Sequence, residues 1–296
     1  MNIPITKPVF GAEEFEAVLE PLRSGWVVQG PKVAEFENRI AQYVGLPHAV
    51  ATSSCTTALH LMLVALEVRP GDEVIVPAFT WVATANVVEY VGAKPVFCDI
   101  DLNTFNLDIE KLPGLVTPKT VGILPVHLFG LPARMQAIAA FAQEHRLWIV
   151  EDCACALGSR IDNAHVGAFG QGGCFSFHPR KCITTGEGGM VVTRQKSLAQ
   201  KIGILRNHGA SVSDFSRHAG KHSFRLAEFN LLGYNYRMTD LQGALGAAQV
   251  HRLDWILQQR QMRARNYMQE LQEIDWLKLP ETPAGYTHAF QSFVCM

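Results

Sequence analysis

The chain predicts an α/β fold, a mostly parallel mixed sheet wrapped by helices. From Gly45 to Val192 short apolar runs alternate with helix-like segments, the pattern of strands and covering helices taken in turn. Most of these runs show no apolar and polar alternation, which is expected of strands buried on both faces. At 296 residues the chain has material for one large domain, or for a large and a small one.

Strands are expected at His48 to Thr52, Glu73 to Pro77, Pro95 to Asp99, Gly122 to Val126, Leu147 to Glu151, Cys174 to Phe177 and Gly189 to Thr193. Between Ala133 and Arg146, residues Met135, Ile138, Ala139 and Ala142 share one helical face, which predicts an amphipathic helix on the sheet. Thr239-Asp240-Leu241-Gln242 has capping-box form and opens a helical stretch reaching about Ile274. Such a helix would carry the chain out of a large domain, residues 1–245, into residues 246–296. There Pro280, Pro283 and Gly285 precede "HAFQSFVCM", which reads as the first strand of a small C-terminal domain that the chain leaves incomplete.

Composition narrows the function. With 48% hydrophobic and 18% charged residues and a net charge of -1, the chain reads as globular and has no electrostatic reason to bind nucleic acid. No apolar run reaches the roughly 18 residues a membrane span needs, and the first ten residues lack signal-peptide form, so no membrane partner and a cytoplasmic protein are expected. Seven cysteines, an odd number without a C-x-x-C pair, argue against a disulfide framework. Cys153 and Cys155 raise the question of zinc, but small residues filling a tight core are the better reading, and no metal is expected.

In an open α/β sheet, ligands bind outside the carboxyl ends of the strands. After the first strand, "TSSCTTALHL" sets hydroxyl residues before an apolar helix. Free N–H groups there would suit a phosphate, although an ordinary N-cap explains the same residues. Trp81 follows the second strand, either as core packing or as a flat surface for a heteroaromatic ring. The pair Glu151-Asp152 follows "LWIV" and would either cap a loop or pair with a buried cation.

"CFSFHPRKCITTGEGGM" then places Lys181 between an aromatic run and a glycine-rich turn, where a lysine needs a covalent or charged partner. A lysine, a phosphate site, a flat aromatic and a carboxylate at neighbouring strand ends suggest a Schiff base to an aldehyde cofactor, pyridoxal 5'-phosphate (PLP).

These residues resemble the DegT/StrS-type sugar aminotransferases, PLP enzymes of the aspartate-aminotransferase fold. The resemblance runs from about Pro8 to the last residue through "GPKVAEFE", "TSSCTTALHL", "GDEVIVPAFTWVATANVVEYVGAKPVFCDID", "PVHLFG", "EDCACALGS", "SFHPRKCITTGEGGM" and "GYNYRMTDLQGALG". It implies a PLP-binding large domain, Lys181 as the Schiff-base lysine, Asp152 on the pyridinium nitrogen and Trp81 against the ring. It also implies phosphate contacts from Cys55 and Thr56, mainly through backbone, and from Ser176 through its hydroxyl.

Asn235 matches an asparagine that reaches the phosphate of the neighbouring subunit, which implies a homodimer with shared active sites. The implied reaction passes an amino group from an amino-acid donor, glutamate, to a nucleotide-linked keto-sugar. Two departures stand out: Cys155 occupies a position that usually holds Gln or His near the cofactor's phenolic oxygen, and family members continue past residue 296. Two other readings are a keto-sugar dehydratase, whose relatives carry histidine in place of the lysine, and a non-catalytic partner subunit. His127 and His208 are left open, and Arg206 and Arg237 are left outside the site. Specificity is expected in Gly25 to Gln29 and Asn207 to Asn230.

Overall fold

The computed structural model describes residues 6–211 and 228–296. Most of the second expected specificity segment, residues 212–227, therefore lies outside the described residues. Seven strands form the main sheet: β1 (His48–Thr52), β2 (Glu73–Pro77), β3 (Lys94–Cys98), β4 (Thr120–Ile123), β5 (Trp148–Asp152), β8 (Gly172–Ser176) and β9 (Gly189–Thr193). Their spatial order is β1-β9-β8-β5-β4-β2-β3. All pairs are parallel except those of β9, which runs antiparallel to both β1 and β8. This is the expected mixed, mostly parallel sheet.

The lack of alternation has a direct cause. Successive side chains of a strand point to opposite faces, and here both faces are covered. Val74 and Val76 of β2 and Val150 of β5 pack with α3 (Cys55–Ala65), α4 (Ala83–Tyr90) and α6 (Lys196–Leu205). Ile75, Ile123 and Ile149 pack on the other face with Met135, Ile138 and Ala142 of α5 (Met135–His145). The buried stripe of α5 is the one its spacing predicts, with Ala139 half-buried beside it.

Two helices, α1 (Ala12–Ser24) and α2 (Pro31–Val44), precede the sheet, and α7 (Asp240–His251) packs against both. Phe36 and Ile40 of α2 join Phe175, Phe177 and Met190 in a buried cluster, with the Phe36 and Phe177 rings 4.8 Å apart. The start of α2 is closed by a residue distant in sequence. Both carboxylate oxygens of Asp240 accept backbone N–H groups, from Gly30 at 2.8 Å, Val33 at 3.0 Å and Lys32 at 3.1 Å. Glu14 of α1 likewise accepts from the Gly11 N–H, from Gln249 and from Arg252 at 2.9 Å, holding α1 to the start of the long C-terminal helix.

The capping box at Thr239 forms as read: Thr239 Oγ1 accepts the Gln242 N–H, and Gln242 Oε1 accepts the Thr239 N–H. The helix it opens is interrupted, however. Arg252 separates α7 from α8 (Leu253–Leu271), its backbone outside helical geometry and its guanidinium drawn to Glu14. Nor does "HAFQSFVCM" form a long strand. Only Tyr286–Thr287, β10, pairs with β6 (Arg160–Ile161), which also pairs with β7 (Ala164–His165). The segment beyond folds back on the main core: Ala289 is fully buried, and Arg260 of α8 donates to the Phe290 and Gln291 carbonyls.

Candidate active site

The carboxyl ends of β1, β2, β4, β5 and β8 share one edge of the sheet, and antiparallel β9 begins there. Register aligns the parts. Gly189 sits opposite both Thr52 of β1 and Ser176 of β8, and Asp152 of β5 sits opposite Cys174. Lys181 is not at a strand end but five residues beyond Ser176, in the hairpin loop joining β8 to β9. The base of that loop is rigid: the Phe177 N–H donates to the Gly188 carbonyl, the Thr185 N–H and the Thr184 hydroxyl both donate to the Phe177 carbonyl, and Phe177 and Ile183 are buried.

The Lys181 side chain turns inward. Its Nζ donates to Cys155 Sγ at 3.1 Å. Burial pushes the amine down, but the neighbouring Cys155 sulfur and the Asp152 carboxylate together push it up by more, and the net shift is upward. The cation is thus favoured.

Asp152 is buried. Burial pushes its carboxyl above the usual range, against the Ala154 N–H and Thr84 hydroxyl it accepts and the nearby Lys181 charge. The hydrogen bonds measure 3.0 Å from the Ala154 N–H to Oδ1 and 2.9 Å from Thr84 Oγ1 to Oδ2. Such a carboxylate is poised to meet a cationic ligand group.

Its neighbour Glu151 faces the other side of the sheet, as adjacent strand residues must. There it accepts N–H groups from Gly167, Phe169 and Gly170 and lies 3.0 Å from His127 Nε2. So one member of the acidic pair organises a loop and the other faces the site. His127, Glu151 and Cys153 are close enough together to raise the question of a metal. Both His127 nitrogens are engaged, Nδ1 by the Ala133 N–H and Nε2 by Glu151, so the group is a satisfied polar core. Cys153 and Cys155, the pair that raised zinc, are split between this core and Lys181.

At the start of α3 an ordinary N-cap leaves the first two helical N–H groups open, so both readings of this segment stand. Ser54 Oγ accepts the Thr57 N–H at 3.1 Å, and Thr57 Oγ1 accepts the Ser54 N–H at 3.0 Å. The Cys55 and Thr56 N–H groups, as the first two of the helix, are left without an intrahelical acceptor. Cys55 is buried and its thiol donates to the Cys174 carbonyl, so backbone rather than side chain is what this residue offers. A side chain at Gly189 would lie 2.3 Å from the Ser54 carbonyl and 2.6 Å from the Cys55 nitrogen, so glycine lets the two strand ends and the helix start converge. Ser176, half-buried, stands level with Gly189, its hydroxyl accepting the His178 N–H at 3.4 Å. These groups fit a phosphate: open N–H donors, a helix dipole and a hydroxyl.

Two of the residues named from sequence stand apart from this cluster. Trp81 is 75% exposed, on the turn leading from β2 to α4, where its carbonyl accepts the Thr84 N–H. It is therefore not core packing. Asn235 is exposed between Tyr234 and Tyr236, whose rings stack at 5.0 Å and 11° and pack on His60 of α3. Sequence reasoning missed Thr84, whose hydroxyl reaches Asp152, and the His127 to Glu151 pair. The only sequence signal for Thr84 was its place in the segment after Trp81. Arg206 is held by Glu37 and the Ala51 carbonyl, and Arg237 by Asn207.

A mostly parallel sheet with one antiparallel strand, a buried carboxylate and an inward lysine on a hairpin beside a helix N-terminus define the class of PLP-dependent transferases. The chain belongs to the DegT/DnrJ/EryC1/StrS aminotransferase family, whose model matches residues 8–296. It is 42% identical over 292 residues to the spore coat polysaccharide biosynthesis protein SpsC of Bacillus subtilis, covering 99% of this chain and 75% of that protein. Among solved structures it is similar to Spr1654 of Streptococcus pneumoniae in its PMP form, with 31% identity, a TM-score of 0.92 and coverage of 99% and 78%. It is also similar to Helicobacter pylori PseC, an aminotransferase of pseudoaminic acid biosynthesis, with 29% identity, a TM-score of 0.92 and coverage of 100% and 77%. The family acts on sugars with an amino donor, its cofactor is PLP, and this chain is an enzyme of that kind. Among the described residues, no helix is long and apolar enough to cross a membrane.

Proposed function

We propose that the protein moves an amino group from an amino acid, L-glutamate, to the ketone of a nucleotide-linked sugar, in aminosugar or polysaccharide biosynthesis. The observation that carries this reading is the inward Lys181 amine, set on a rigid hairpin beside Asp152 and the open start of α3. Bound PLP supplies an aldehyde for covalent attachment and a ring that withdraws electrons from the carbon undergoing proton transfer.

In this reading Lys181 would be the attachment point, and its Nζ would act as general base on the donor's α-carbon proton. Asp152, held in place by Thr84 and the Ala154 N–H, would pair with the ring nitrogen and favour its cationic form. The backbone N–H groups of Cys55 and Thr56 and the hydroxyl of Ser176 would hold the phosphate, Trp81 would cover the ring, and Cys155 would sit near its edge. Asn235, exposed and flanked by the tyrosine pair, serves the site of a second subunit in a homodimer. All seven cysteines are free, which supports a reducing cytoplasmic location. Dehydration is disfavoured because a lysine, not a histidine, holds position 181.

An absorbance spectrum of the purified chain with PLP, before and after glutamate, tests the proposal. A visible band that glutamate bleaches, and that Lys181→Ala fails to form normally, is the expected result. Wild-type transamination by Lys181→Ala would overturn it, and no band with the wild-type chain would favour the partner-subunit reading.

A further inference from the structure

We propose that Cys155 and Lys181 form an oxidative modification site in which a hydroperoxide joins the two side chains by a reversible sulfur–nitrogen bond. The inference stands on their contact and does not require the transamination reading. Nζ and Sγ are 3.1 Å apart, in hydrogen-bond contact with the amine donating to the sulfur.

Accessibility singles out this thiol. Cys55, Cys98, Cys153, Cys174 and Cys182 are buried, whereas Cys155 and Cys295 are half-exposed. Burial holds the thiols of Cys55, Cys153 and Cys174 well above their ordinary value, so they are poor nucleophiles. Among the described residues, Cys155 alone accepts a hydrogen bond from an amine. Cys295, in the C-terminal segment, has none among the described residues.

The chemistry balances in two steps. The Cys155 sulfur attacks hydrogen peroxide; an S–O bond forms, the O–O bond breaks, sulfur loses two electrons, one oxygen stays on sulfur as its hydroxyl, and the other leaves as water with a proton taken from the Cys155–Lys181 pair, which leaves the amine neutral. The neutral Lys181 amine then attacks the sulfenic sulfur; an S–N bond forms, the S–O bond breaks, and the hydroxyl leaves with an amine proton as a second water. The net change is the loss of two hydrogen atoms from the protein. A cross-linked Lys181 has no free amine with which to hold an aldehyde. Conversely, an aldehyde already attached to Lys181 leaves Cys155 no partner, so the cofactor and the cross-link exclude each other. A small thiol reduces the S–N bond and restores both groups.

The test uses the full chain freed of cofactor, treated with hydrogen peroxide and digested with trypsin without reductant. The expected product is a Cys155 peptide joined to an uncleaved Lys181 peptide, lighter by two hydrogen atoms and released by dithiothreitol. Fixing PLP on Lys181 with borohydride beforehand should prevent it, as should Cys155→Ser or Lys181→Ala, with thermal melting confirming that each variant is folded. Cys155 recovered only as sulfinic or sulfonic acid, or unmodified, beside an ordinarily cleaved Lys181 would overturn the proposal. Because the readout is a mass and not turnover, it remains decisive whether or not the chain transaminates glutamate.

Discussion

Thr84 and Asp152, 68 positions apart, meet in the buried interior with the threonine hydroxyl donating to the carboxylate at 2.9 Å. Thr84 lies in the first turn of the helix that follows Trp81, and its hydroxyl also lies 3.0 Å from that of Thr80. The exposed turn that carries the tryptophan is therefore fastened to the buried acid by one hydroxyl. The groups proposed to cover the ring and to hold its nitrogen move together.

Thr84→Val keeps the shape and removes the donor. A hydrogen bond to a charged group is worth about 1.5–3 kcal/mol, so PLP affinity should fall roughly 10–100-fold. The sign of the pH effect follows from the carboxyl. Its pKa is already raised by burial, and losing Thr84 raises it further, so the acid limb of cofactor binding should move to higher pH. Absorbance titrations with PLP across pH would show this; an unmoved acid limb would leave Thr84 a packing residue only.

Gly189→Ala should be harmful where Gly203→Ala is harmless. The first adds a methyl 2.3 Å from the Ser54 carbonyl, so the start of α3 must shift, at a cost of about 1–3 kcal/mol. The second adds one in open space within α6, where alanine is favoured over glycine by about 0.5–1 kcal/mol. Urea denaturation gives both signs, and PLP titration should show weakened binding for Gly189→Ala alone.

Much of this was legible in the sequence. Continuous apolar runs marked all seven main-sheet strands because both faces are buried, though edges slipped: Gly122 to Val126 was read where Thr120–Ile123 forms, since the apolar run continues past the last ladder bond. The antiparallel sense of β9 was not legible, because a strand buried on both faces reads the same in either direction. Lys181 and the Glu151-Asp152 pair stood out as charges among apolar residues, but the roles expected of Lys181 and Asp152 came from the family resemblance. The contacts of Thr84 with Asp152 and of Glu151 with His127 were not legible, because they join partners brought near only by folding.

Glu14 should govern acid stability at the N-terminus. The Gly11, Gln249 and Arg252 donors lower its pKa despite opposing burial. The unfolded chain therefore takes up the proton first, and the stabilisation, complete above the ordinary carboxylate range, is lost as pH falls through the folded value. Glu14→Gln should flatten that acid limb. Hydrogen exchange of α1 between neutral and acid pH would follow it, and equal protection of α1 in both proteins throughout would refute it.

Asp240→Ala should destabilise the fold by about 2–3 kcal/mol, because it strands buried N–H groups at the start of α2. Asp240→Asn, which keeps one acceptor oxygen, should lose less. Chemical denaturation of the two variants would rank them, and equal losses would show that charge rather than acceptor count matters.

That same carboxylate sets an order of events during synthesis. Gly30 and Asp240 are 210 residues apart, and at 5–20 residues per second the ribosome needs roughly 10–40 s to travel between them. Throughout that interval the second helix of the nascent chain is open at its leading end, its first amide groups still without the carboxylate that accepts them. A helix made early in this sequence is thus completed by a residue made late.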